Sequence, residues 1–97
     1  MKIIFLEPAL QEMNEAAEFY EKQVRGLGQH FLDEIEHVQN KLMELPQLGR
    51  LINSNIRRIL LNTFPFGLLY QINEDQIIIV AVMHLKRRPN YWKNRKK

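Results

Sequence analysis

The residues best suited to chemistry crowd the end of the chain, in "MHLKRRPNYW" followed by "KNRKK". They are His84, Lys86, Arg87, Arg88, Tyr91 and Trp92, with Arg57 and Arg58 standing earlier in "IRRILLN". Histidine changes charge near neutral pH and can carry a proton. Guanidinium groups grip phosphate or carboxylate through two parallel hydrogen bonds. Aromatic rings beside arginines suit base stacking combined with phosphate neutralisation. A plainer alternative stands beside each reading. His84 could simply close a strand end with a hydrogen bond. Tyr91 and Trp92 could fold back as an apolar plug, the preferred assignment for Trp92, leaving Lys93 to Lys97 as a solvated tail.

Other chemistries are poorly served. His30 and His37 are seven apart and could share a helix face, but no third ligand stands at a useful spacing, so no metal site is expected. Ser54 is the sole serine and has no base near it in sequence. There is no glycine-rich phosphate loop and no cysteine, so no disulfide or thiolate chemistry and no cofactor are expected, and a reducing cytoplasm is the expected home. No apolar run approaches the length of a membrane span, and no signal peptide is read in "MKIIFLEPAL".

The elements that must position these residues follow from apolar spacing. At 97 residues one domain is expected, residues 1–97, with a basic tail over 93–97. "KIIFL" (2–6) reads as a strand. Leu10, Met13, Ala17, Tyr20 and Val24 recur at helical spacing and predict a helix over 8–25, with Pro8 in its first turn. "RGLGQ" breaks it. Phe31, Ile35, Val38, Leu42 and Leu45 predict a second helix ending before Pro46. A loop, "PQLGRLINSN", leads to three strands over 56–62, 67–72 and 76–84, and Pro65 between the first two marks a bend or bulge. Residues 77–83 are apolar at every position, which suits an interior strand covered on both faces and paired with the N-terminal strand. The expectation is an α+β domain, β-α-α-β-β-β, with a four-stranded, mainly antiparallel sheet and a helix hairpin on one face. The other face then needs a partner, a second copy of the chain as a homodimer, or the C-terminal tail.

Charge is segregated along this scaffold. Residues 1–44 hold nine acids against four bases, and residues 45–97 hold two acids against ten bases. A pole of +8 on half a small domain attracts a polyanion or an acidic peptide.

The order strand, helix hairpin, "LPQLGR", "IRRILLNTFPFGLLYQI", "IIIVAVMHLKRRPNYW" resembles the RelE/ParE family of toxins from type II toxin–antitoxin modules, over nearly the whole chain. The resemblance implies a cytoplasmic bacterial toxin that inhibits growth, stabilises plasmids, and is neutralised by an antitoxin with an acidic amphipathic segment wrapping the hairpin and the open sheet face. It implies two alternative activities. RelE-like members cut messenger RNA on the ribosome, and here Arg57, His84, Arg87 and Tyr91 would supply that chemistry. ParE-like members poison DNA gyrase by binding, with Arg57, Arg58, His84, Lys86, Arg87, Arg88, Tyr91 and Trp92 at the working surface. Gly67 occupies the place where the ribonuclease branch typically carries an arginine, and a glycine cannot stabilise a pentavalent phosphate. "FPFG" and "RRPNYW" also look like the ParE side, so the expectation is a non-enzymatic gyrase poison. An inactive module that keeps only antitoxin binding is the third possibility.

Overall fold

A computed structural model describes residues 1–96, so Lys97 of the tail lies outside the described residues. The chain runs β1 (Lys2–Phe5), α1 (Glu7–Gln23), α2 (Leu27–Glu44), a 3-10 turn (Pro46–Leu48), β2 (Arg50–Leu51), β3 (Arg57–Leu60), β4 (Phe66–Asn73) and β5 (Gln76–His84). The sheet order is β1-β5-β4-β3-β2, with β1 parallel to β5 and the other pairs antiparallel. The α+β class, the helix hairpin and the pairing of the N-terminal strand with β5 all match the expectation. The sheet has five strands rather than four.

The added strand lies in the stretch read as loop. Two residues carry no usable alternation, so β2 is set by its neighbour: Ile52 N–H donates to Ile56 O, and Asn53 Oδ1 accepts from Asn55 N–H and Ile56 N–H to close the hairpin. Tyr70 and Arg57 fix the segment before it. The Tyr70 hydroxyl donates to Pro46 O at 2.7 Å and accepts from Gly49 N–H at 2.8 Å, and Arg57 Nη1 donates to Gly49 O and Gln47 O.

The core side of α1 is Ala9, Met13, Ala16, Ala17 and Tyr20, which keeps Met13, Ala17 and Tyr20 of the spaced stripe and loses only its two ends. Leu10 is 37% exposed and Val24, at 59%, lies past the helix end. α2 buries Phe31, Ile35, Val38 and Leu42 as spaced, whereas Leu45 falls beyond its last turn and is exposed.

The hairpin closes tightly. Gly26 takes a left-handed φ of 87°, and the Glu21 carboxylate accepts from Gly26 N–H and Gly28 N–H, capping α2 from the preceding helix. A Cβ on Gly28 would stand 2.4 Å from Ala17 O. Gly28→Ala should therefore lower stability by about 1–3 kcal/mol through overpacking, despite alanine's better helix propensity. Thermal unfolding followed by circular dichroism would show it, and an unchanged midpoint would mean the helices do not approach this closely.

Two apolar clusters sandwich the sheet. The larger joins the helices to Phe64, Phe66, Leu68, Tyr70, Ile77, Ile79 and Val82. The smaller, on the opposite face, contains Leu6, Ile56, Leu69, Ile78, Val80, Ala81, Met83 and Trp92. The sheet's second face is thus partly covered by the chain's own C-terminal segment, one of the three covers the sequence had left open.

Candidate functional site

A bulge in β5 decides how the basic segment is presented. Leu69 pairs with Ala81 and Tyr70 pairs with Ile79, so Val80 is the extra residue. Alternation inverts there: Ile77, Ile79 and Val82 face the helices, while Ile78, Val80, Ala81 and Met83 face away. The register irregularity therefore falls at Val80, and Pro65 sits in a bend. One consequence is that His84 lands on the helix side, its ring edge-on to Phe66 at 5.1 Å. Its Nδ1 accepts from Lys86 N–H, leaving Nε2 as the ring's donor.

β1 pairs with β5 only as far as Ile79, and Leu6 N–H takes Ile79 O. Beyond that point the β5 edge would be bare. Side chains complete it instead: Glu12 Oε1 accepts from Val82 N–H at 3.0 Å, and Arg95 Nη1 donates to Val80 O at 3.0 Å. Glu12 is the hub. It also accepts from the Tyr91 hydroxyl at 2.6 Å and from Arg95 through both terminal nitrogens at 2.8 and 2.9 Å. The Arg87 guanidinium covers the Tyr91 ring at 3.8 Å from its centroid and lies 3.9 Å from Glu12, while Arg95 flanks the same ring at 5.0 Å.

The charges tune one another. Burial alone would push the Glu12 carboxyl up, but hydrogen bonds from Arg95, Tyr91 and Val82 N–H, with the Arg95 charge, hold it below the ordinary range. Burial, then donation to Glu12 and the Glu12 charge, push the Tyr91 hydroxyl far up. A tyrosine held in this way keeps its proton and is a poor general base.

The eight residues singled out in the sequence are not one constellation. Arg57 lies on the helix-side face of β3 and is bound to the backbone of Gln47 and Gly49. Arg58 projects from the opposite face, its stem lying 3.3–3.4 Å from where a Gly67 Cβ would be. His84 and Arg87 line a cleft of about 230 Å³ with Glu12, Glu15 and Phe66. Lys86 and Arg88 are exposed, Tyr91 is half-buried in the Glu12 network, and Trp92 is only 5% exposed within the second core. Glu12 escaped the sequence reading, and Arg95, read as part of a solvated tail over 93–97, is instead bound to Glu12 and Val80 O. Glu12 was one of nine acids in the N-terminal half, and nothing local distinguishes it from Glu15 or Glu18. Its partners lie 70 to 83 positions away.

A second surface is apolar. Met1, Leu45, Pro46, Leu48 and Ile72 line a groove of about 450 Å³ between the end of α2 and the sheet, with Leu45 61% and Leu48 46% exposed.

Comparison with known proteins places these features in context. The family model described as ParE toxin of type II toxin–antitoxin system, parDE, matches residues 3–89. Among solved structures, one described as the chromosomal ParDE TA system from P. aeruginosa is similar at 16% identity, with a TM-score of 0.64, over 87% of this chain and 95% of that one. No curated protein matches.

Proposed function

The chain belongs to the ParE toxin family of type II toxin–antitoxin systems, and from that premise we propose that it arrests growth by binding and poisoning DNA gyrase. The carrying observation is how its polar groups are engaged. Two of the four residues a ribonuclease would need are spent on architecture: Arg57 on the Gln47 and Gly49 carbonyls, Tyr91 on Glu12. The cations that remain outward, Arg58, Lys86, Arg87 and Arg88, suit contact with a macromolecular target. Induction of the gene alone should stop growth, and purified protein should trap gyrase–DNA cleavage complexes. Undiminished gyrase turnover at saturating protein would reject the gyrase target.

One observation favours the ribonuclease alternative: His84 keeps Nε2 free beside Glu15 and Arg87 in the same cleft. That reading requires cuts in translated messages, mapped by primer extension and abolished by His84→Ala. Growth without arrest would instead indicate an inactive antitoxin-binding module.

The neutralising partner in this proposal is a cognate antitoxin with an acidic amphipathic segment. The Met1–Leu45–Leu48 groove offers its apolar side a seat. Leu45→Glu with Leu48→Glu should leave growth arrest intact while antitoxin co-expression no longer rescues it. Full rescue of that variant would place the antitoxin elsewhere.

A further inference from the structure

The sheet separates the charges of this protein. Nine of its acids belong to the two helices on one side. On the other side, strand register assigns one face to Arg50, Arg58, Leu60, Gly67, Leu69, Gln71, Ile78 and Met83, with no acid among these positions. Arg50 and Arg58 are directly paired across β2 and β3, so their side chains rise from the same face. Like charges in that relation destabilise a sheet. Arg58 relieves the contact by lying across Gly67, which leaves two guanidiniums spread over three strands. Among the described residues neither has an ion-pair partner, because the three ion pairs present involve Lys22, Arg87 and Arg95.

The C-terminal segment extends this strip. Trp92 joins the Leu69–Ile78–Met83 cluster of the face, Lys93 lines a small cleft there with Asn55, Ile56 and Gln71, and Lys96, further along the segment, is exposed. The Glu12 carboxylate is already committed to Arg95 and Tyr91 and cannot neutralise them.

We propose that this face, through Arg50, Arg58, Lys93 and Lys96, binds the phosphate backbone of double-stranded DNA without reading its sequence. Several phosphates in a row match cations spread over strands better than one carboxylate does. The duplex is favoured over a single strand because neither aromatic ring of the C-terminal segment is free to stack on a base: Trp92 is buried, and the Tyr91 ring lies under Arg87 and Arg95. Binding that depends on phosphates alone weakens steeply with salt, by a slope of about −0.9 per phosphate neutralised. The inference does not depend on the gyrase reading, and its test contains no gyrase, so either can fail alone.

The test uses the full chain and a fluorescent duplex of about 20 base pairs, followed by anisotropy between 50 and 200 mM salt, a range in which phosphate contacts show their salt dependence. Two duplexes of unrelated sequence should bind alike. Arg50→Ala with Arg58→Ala should reduce the log–log salt slope by about two, about one per lost phosphate contact. Lys93→Gln with Lys96→Gln should do the same, which keeps the test open if the arginine pair perturbs the sheet. Lys22→Ala, which removes one cation from the helix side, should leave the slope unchanged. Absence of binding at 50 mM salt, an unaltered slope in both double variants, or tighter binding to single-stranded RNA or to a glutamate-rich peptide would each overturn the proposal.

Discussion

Trp92→Ala should cost about 3–5 kcal/mol, the range for removing a large aromatic side chain from a core. Trp92 is the buried side chain by which the C-terminal segment enters the second apolar cluster, with Leu69, Ile78, Val80 and Met83, and the half-buried Tyr91 packs against the same cluster. Its removal leaves that cluster without its cover, and the segment retains only the Glu12 network to hold it. For a domain of this size total stability is about 5–15 kcal/mol, so the loss is roughly a third to a half of a mid-range value. The unfolding midpoint should fall by roughly 12 °C or more. Trp92→Phe keeps an aromatic filling and should lose far less. Circular dichroism melts of the two variants beside the parent decide the matter. A midpoint for Trp92→Ala within a degree or two of the parent would mean that the segment is not docked on the sheet.

The apolar plug that the sequence suggests for Trp92 is what the structure shows, whereas other parts of the fold were less legible. The helices were legible because Phe31, Ile35, Val38 and Leu42 repeat at one period and a single face is buried. β5 was legible as an interior strand because every position from 77 to 83 is apolar. Its orientation beyond Val80 was not, since an uninterrupted apolar run carries no mark of the bulge that turns His84 toward the helices. Alternation only reports a face where one side is polar. β2 escaped for a different reason: two residues are held by their neighbour and by an Asn53 turn rather than by any pattern of their own. The cluster "HLKRRPNYW" reads as one site along the chain, yet folding divides it. Trp92 goes into the core, Tyr91 to a helix carboxylate, and the cations to solvent. Contiguity in sequence suggested shared purpose where contact order assigned separate ones.

Glu12→Ala should destabilise the protein by about 3 kcal/mol, at the lower end for breaking a buried ion pair because both partners retain some contact with water. The substitution leaves Arg95, the Tyr91 hydroxyl and Val82 N–H without their shared acceptor. The contribution also has a pH signature. In the folded protein the Glu12 carboxyl sits below its ordinary value of 4.5, so on acidification the unfolded chain takes up the proton first. Stabilisation by Glu12 is therefore complete above about pH 4.5 and drains away as the pH falls through the lower folded value. The stability gap between the parent and Glu12→Gln, measured by urea titration, should accordingly narrow from pH 6 to pH 3. Arg95→Ala should add little in the Glu12→Ala background, because the two residues act as one unit. A gap that stays constant across this range, or full additivity of the two alanine variants, would show that the carboxylate does not fasten the tail. In that case the Arg87–Tyr91 stack would hold no fixed position relative to the sheet, and the cations of the terminal segment would be a loose arm rather than a shaped surface.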